Sequence, residues 1–288
     1  MGKPEFDAAT GTETTGHEWD GVKELDNPLP LWWLWVLWAS VVWSVGYWIA
    51  MPAWPLVASY TQGLLGYSQR AVVANDLSQA KAAQAVYLEK IATADLAAIS
   101  ADAELLRFSL AGGAAAFGDN CAPCHGRGAQ GATGYPNLND DDWLWGGKLE
   151  DIQQTLKVGI RSNHPDTRVN PMPAFGRDEI LEPAQIADVV EYVLTLSGGD
   201  ADAAAAGRGK AIFAEQCAAC HGEEGKGNME LGAPNLTDVL WLYGGTREAI
   251  RQTVRNSRAG VMPSWEGRLS SDTIKQLAIY VHSLGGGQ

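Results

Sequence analysis

Cys121-Ala122-Pro123-Cys124-His125 and Cys217-Ala218-Ala219-Cys220-His221 repeat one pentapeptide pattern and together hold every cysteine in the chain. Two thiols two residues apart on a tight turn can form thioethers to both vinyl groups of one porphyrin, and the next residue sets an imidazole under the iron. The pattern predicts two covalently bound c-type haems, with Cys121, Cys124, Cys217 and Cys220 as thioether donors and His125 and His221 as axial ligands. Structural zinc also uses paired C-x-x-C, but it has no need of a histidine directly after each pair. A thioredoxin-like pair needs a strand-to-helix context, whereas Ala-rich, helix-forming stretches precede both copies here. Disulfides within each pair are geometrically poor, and long-range ones leave both histidines unexplained.

The repeat extends well beyond the haem motif. Pro136-Asn137-Leu138 matches Pro234-Asn235-Leu236, Trp143-Leu144-Trp145-Gly146-Gly147 matches Trp241-Leu242-Tyr243-Gly244-Gly245, and Met172-Pro173 matches Met262-Pro263. The offset is 96 at the cysteines, 98 through the middle and 90 at the methionines, so the first copy carries a longer loop around Arg161 to Asn170. Two homologous domains follow. In each, a helix leads to the haem motif, then come a Gly-rich loop, a short middle helix, a Met-Pro loop and a C-terminal amphipathic helix. Ile186, Val189, Val190, Val193 and Leu194 form one apolar stripe, and Ile274, Leu277, Ala278, Val281 and Leu284 form the other. Each stripe is expected to pack on the helix before the haem motif of its own copy, with Gly198-Gly199 and the Ala-rich run to Ala206 as the hinge between domains.

A second axial ligand decides whether each iron carries electrons or does chemistry. Methionine fills the site and raises the potential. Met172 is expected to complete the iron of His125, and Met262 that of His221, because each lies 40 to 50 residues after its histidine and precedes Pro. His164 in the longer loop is the alternative in the first copy. Arg161, Arg258, Trp143 and Trp145 are candidate partners for the haem propionates. With both irons six-coordinate, and no free thiol or Ser-His-Asp set, no catalytic residues are predicted.

No charged residue lies between Asp26 and Arg70, and the stretch from Leu31 to about Met51 is almost wholly apolar. About 20 such residues cross the hydrocarbon layer as a helix. Trp32, Trp33, Trp35, Trp48 and Trp54 sit near its ends, where indole rings favour the interface. The preceding region is long and acidic, unlike a cleavable signal peptide. The net charge of −13 argues against nucleic acid, and residues 102–199 hold 7 basic against 14 acidic side chains, which suits basic partners. Covalent c-type haem is matured on the outer face of energy-transducing membranes, so the haem domains are expected in a bacterial periplasm and the N-terminus in the cytoplasm.

His17-Glu18-Trp19-Asp20-Gly21 through Asn27-Pro28-Leu29-Pro30, followed by Trp32-Trp33 and the span, resembles the leader of subunit III, the di-haem subunit of cbb3-type cytochrome c oxidases. With the anchor and both haem repeats, the resemblance covers essentially the whole chain. It implies an inner-membrane complex with a haem-copper catalytic subunit and a mono-haem cytochrome c subunit, to which this chain passes electrons from donor c-type cytochromes. The expected fold is all-α: one transmembrane helix followed by two tandem class I-like cytochrome c domains. The expected layout is leader 1–30, anchor 31–54, interfacial and helical linker 55–107, and haem domains 108–199 and 200–288. A free-standing membrane-anchored di-haem carrier and the cytochrome subunit of a periplasmic dehydrogenase are the competing interpretations. Neither accounts for the leader.

Overall fold

The computed structural model describes residues 2–286, and the chain divides after Ala83 into two units. In the N-terminal unit the leader is a small antiparallel sheet of β1 (Phe6–Asp7), β2 (Thr12–Trp19) and β3 (Val22–Leu25), in that order. This departs from the all-α expectation. Its signal was present: Trp19 pairs with Val22 across Asp20-Gly21, whose φ values of 51° and 85° are those of a tight hairpin turn.

Helix α1 (Leu31–Ala50) falls on the apolar stretch and, about 30 Å long at 1.5 Å per residue, is long and apolar enough to cross a membrane. The hydroxyls of Ser40 and Ser44 donate to the carbonyls of Leu37 and Ser40, so neither is left an unpaired donor on this apolar helix. The chain after it turns back to cap the helix, as Met51, Leu64 and Leu65 N–H groups donate to the terminal carbonyls of Tyr47, Ile49 and Ala50. Trp35, Trp38, Ala39, Val42 and Trp43 line one shallow notch on the span, at the spacing of a single helix face.

Helix α2 (Gln69–Thr93) runs across the division between units. In the C-terminal unit α3 (Leu96–Ala101) precedes the first sequence repeat, to which α4 (Ala103–Asn120), α5 (Ala122–His125), α6 (Leu149–Val158) and α7 (Pro183–Leu196) belong. The second holds α8 (Ala203–Gln216), α9 (Ala218–His221), α10 (Arg247–Asn256) and α11 (Ser271–His282). Starts are set locally: the Asp95, Asp102, Asp202, Thr246 and Ser270 side chains accept N–H bonds from the first turns of α3, α4, α8, α10 and α11. Pro183 opens α7 within a capping box of Glu182 and Gln185.

The helices do not pack by sequence repeat. One core joins Phe117, Cys121, Ile152 and Leu156 to Trp265, Ile274, Leu277 and Val281, so α11 lies on α4. The other joins Phe175, Ile186, Val189 and Val193 to Phe213, Ile250 and Val254, so α7 lies on α8. Each apolar stripe is a core face, as expected, but each covers the haem-motif helix of the other repeat. The boundaries 108–199 and 200–288 therefore describe sequence copies and not packed bodies. Gly198-Gly199 forms the exposed turn that closes the α7–α8 hairpin over the second core and is not a hinge between domains. The physical reason is the short connection 197–202, which brings α7 directly back along α8. Arg208 then pairs with Asp188, and Arg247 holds Glu191 by 2.5 and 3.1 Å bonds.

Candidate functional site

Both pentapeptides are built alike. Helix α4 ends at Cys121, whose carbonyl accepts the N–H groups of Cys124 and His125, and α8 ends the same way at Cys217 for Cys220 and His221. That single turn puts the two thiols of each pair and the following imidazole on one short helix. His125 Nδ1 lies 3.0 Å from the Pro136 carbonyl and His221 Nδ1 lies 3.0 Å from the Pro234 carbonyl. A carbonyl only accepts, so Nδ1 carries the proton and each Nε2 keeps its lone pair for a metal. Burial lowers both imidazole pKa values and holds the rings neutral, the form in which they ligate. The role of Pro136 and Pro234 went unread in the sequence, although their repeat was plain.

Cys121 lies in one core and Cys217 packs on the other, where burial pushes each thiol up to about 11. The two C-x-x-C pairs therefore do not meet, and neither thiol of this pair has the electropositive surroundings of a reactive cysteine. Where the helices cross, Gly113 faces the Gln276 carbonyl and Gly209 faces the Asp188 carbonyl. A Cβ built on either would lie within 2.4 Å or 2.0 Å of that oxygen. Phe117 against Tyr280 and Phe213 against Tyr192 complete the two crossings at 5.5 and 5.2 Å.

The methionine loops cross over with the helices. Met262 packs on the core of Cys121, and Met172 packs on the core of Cys217. Reciprocal backbone bonds hold the exchange: Trp265 N–H donates to Leu156 O at 3.0 Å, and Phe175 N–H donates to Val254 O at 3.1 Å. The expected pairs, Met172 with His125 and Met262 with His221, are not the ones the fold brings into a common core. They were assigned by repeat order, and an alignment of two homologous copies is silent on exchange between them.

His164 is fully engaged elsewhere, accepting from the Asp166 N–H at Nδ1 and meeting Glu266 at 3.0 Å through Nε2. Trp143 donates its indole N–H to the Gly286 carbonyl. Arg161 donates to Gly260 O at 2.6 Å. Arg258 stacks on Tyr243 at 4.7 Å and bonds Ala249 O and Thr253 Oγ1. Its counterpart in the other copy is Arg168, which the sequence reading missed in favour of Arg161. Arg168 stacks on Trp145 at 5.2 Å and reaches Asp151 O at 3.4 Å. Arg168 and Arg258 each stand four residues before a methionine and share the offset of 90, a signal available in the sequence.

The parts fit a haem in each core: paired cysteines on one turn, a neutral imidazole with its outer nitrogen fixed, a methionine against the same core, and in one of them a guanidinium whose buried Nε has no partner. Such a fold and site define a c-type cytochrome, here with two haem-attachment turns in one C-terminal unit. Residues 11–58 match the family model described as the N-terminal domain of cytochrome oxidase-cbb3, FixP. Residues 204–281 match that of cytochrome c oxidase, cbb3-type, subunit III, and residues 110–197 match cytochrome c. The chain is 56% identical to the cbb3-type cytochrome c oxidase subunit FixP of Bradyrhizobium sp. strain ORS 278, over 99% of this chain and 98% of that one. It is 53% identical to FixP of Bradyrhizobium diazoefficiens over the same shares, and 52% identical to subunit CcoP of Cereibacter sphaeroides over 96% and 95%. The chain belongs to the FixP/CcoP family, subunit III of cbb3-type cytochrome c oxidases. Its cytochrome c domains imply c-type haem and a role in electron transport.

Proposed function

We propose that this chain is the membrane-anchored di-haem subunit that relays electrons from donor c-type cytochromes to the haem-copper oxygen-reducing centre of a cbb3-type oxidase. The observation that carries this reading is the pair of equivalent haem-attachment cores, each with a fixed imidazole and a methionine, following an apolar span and the family's leader. A bound c-type haem supplies reversible one-electron exchange. Cys121 and Cys124 would hold one haem by thioethers and Cys217 and Cys220 the other. His125 and Met262 would ligate the first iron, and His221 and Met172 the second. With both axial positions taken by protein, the chain would act as an electron-transfer subunit with no catalytic residues of its own.

The haem domains stand in the periplasm of a bacterial inner membrane, with the leader in the cytoplasm. The span is anchored beside the catalytic subunit, and the notch of Trp35, Trp38 and Trp43 suits the side of a neighbouring membrane helix. The mono-haem cytochrome c subunit completes the relay. The test is to purify the tagged chain from its own membranes. Co-purification of b-type haem, copper and oxygen consumption driven by reduced cytochrome c is expected. Isolation as a lone red protein, with oxidase activity intact in a deletion strain, would favour a free-standing carrier.

A further inference from the structure

Arg168 and Arg258 occupy equivalent positions, and the difference between them is informative. Each guanidinium lies over the aromatic ring of the W-x-W/Y-G-G segment, and each Nη2 points at the carbonyl of residue 151 or 249 in the first turn of a middle helix. The Nε and Nη2 of Arg258 are bonded within its own copy: Nε donates to Thr253 Oγ1 at 3.0 Å, and Nη2 reaches Ala249 O at 2.7 Å and Tyr243 O at 3.2 Å. Thr155 holds the matching place in the first copy, yet Arg168 makes no bond to it. Among the described residues its one side-chain bond is the 3.4 Å contact to Asp151 O, and its buried Nε has no partner. Buried polar groups are almost always paired, and an unpaired one bearing charge is costly. Burial lowers the pKa of Arg168, while Asp151 opposes that shift. A planar guanidinium on an aromatic face, with donors to spare, is the arrangement that takes a carboxylate.

We propose that Arg168 binds a propionate carboxylate of the haem carried by Cys121 and Cys124, and that this unshared cation sets the potential of that haem apart from the other. The first haem is the one concerned because Trp145 and Asp151 belong to its half of the fold, where Ile152 and Leu156 line the core of Cys121. Arg161, whose Nε is bound to Gly260 O, has no such role. A cation held against a propionate stabilises the reduced haem, which carries one positive charge fewer at the iron. The proposal rests on the di-haem reading above.

The test is a potentiometric titration of the intact chain and its Arg168→Gln variant, after haem content and the methionine-to-iron absorption band have been recorded for both. If the parent chain lacks covalent haem, the di-haem reading fails and this one falls with it; with haem present, only the Arg168 assignment is at stake. With haem and band retained, Arg168→Gln is expected to lower one midpoint and leave the other in place, while Arg161→Gln moves neither. Unchanged midpoints in Arg168→Gln, or a shift produced by Arg161→Gln, would overturn the assignment. Should the glutamine variant lose haem, the redox-difference infrared spectrum of Arg168→Lys is read instead. A displaced propionate carboxylate band supports the proposal, and an unmoved one refutes it.

Discussion

Ile160 and Met262, one from each repeat, exchange both of their backbone hydrogen bonds: Ile160 N–H donates to Met262 O at 2.9 Å and Met262 N–H donates to Ile160 O at 3.0 Å. This paired bridge seats the second copy's methionine loop at the end of the first copy's middle helix. Leu156 and Lys157 carbonyls extend it by accepting from Trp265 and Glu266, and on the other side Val254 and Arg255 do the same for Phe175 and Gly176. Each haem-attachment core is thus completed by chain from the other copy.

Axial ligation should follow this exchange. In a Cys121→Ala/Cys124→Ala chain, which keeps only the haem at Cys217 and Cys220, Met172→Leu is expected to abolish the methionine-to-iron band and lower the midpoint. Met262→Leu should leave both unchanged. Optical spectra and a redox titration of the purified variants decide it, and the opposite pattern would restore pairing by repeat order.

The two helix crossings tolerate no side chain at Gly113 or Gly209. Gly209→Ala should cost about 1–3 kcal/mol, because the added methyl forces α8 away from the Asp188 carbonyl. Gly118→Ala, on the exposed side of α4 with open space around it, should gain up to about 1 kcal/mol from helix propensity. Thermal melts of the two variants should therefore move in opposite directions.

Glu191 gives the second core a pH dependence. The Arg247 guanidinium, bonded to a nearly buried carboxylate, holds the Glu191 pKa below its ordinary 4.5 despite the opposing effect of burial. A carboxyl depressed on folding adds stability above its unfolded pKa and loses it as the pH falls through the folded value. Wild-type melting temperature should thus drop more steeply than that of Glu191→Gln as the pH is taken below about 4.5. Parallel curves for the two proteins would show that the pair contributes nothing.

Both ring nitrogens of His164 are engaged, with Glu266 and with the Asp166 N–H, as in a strut. His164→Asn should keep both haems, both midpoints and the methionine-to-iron band, with a stability loss of about 1 kcal/mol or less from the partly exposed Glu266 contact. A new high-spin signal in the variant's spectrum would return His164 to the ligand set.

Asp140 and Asp238 both have raised pKa values, first by burial and then by neighbouring carboxylates that include Asp142. Apart from these two, the acidic excess of residues 102–199 suits the proposed entry of electrons from a basic donor. The rate of reduction by such a donor should fall as ionic strength rises, in stopped-flow measurements at fixed pH. A salt-independent rate would remove electrostatic steering.

The two C-x-x-C-H turns, the long apolar helix, the leader's likeness to its family and both apolar stripes could be read from residue order, because each rests on contacts within a few residues of chain. The leader's hairpin was legible too, in Asp20-Gly21, but was not read. Which stripe covers which haem helix could not be. Val189 with Val193 and Leu277 with Val281 present nearly the same face, so hydrophobic pattern alone does not choose between a copy packing on itself and two copies exchanging ends. Only the tertiary structure decided this, through the short α7–α8 connection and contacts that occur on one side alone. Arg208 finds Asp188 and Arg247 finds Glu191 in the second core, while Lys275 on α11 donates to the carbonyls of Ile91, Ala92 and Ala94 beside the first. The same exchange moved Met172 and Met262 between cores, while Arg168, unlike Arg161, keeps a buried Nε without a partner.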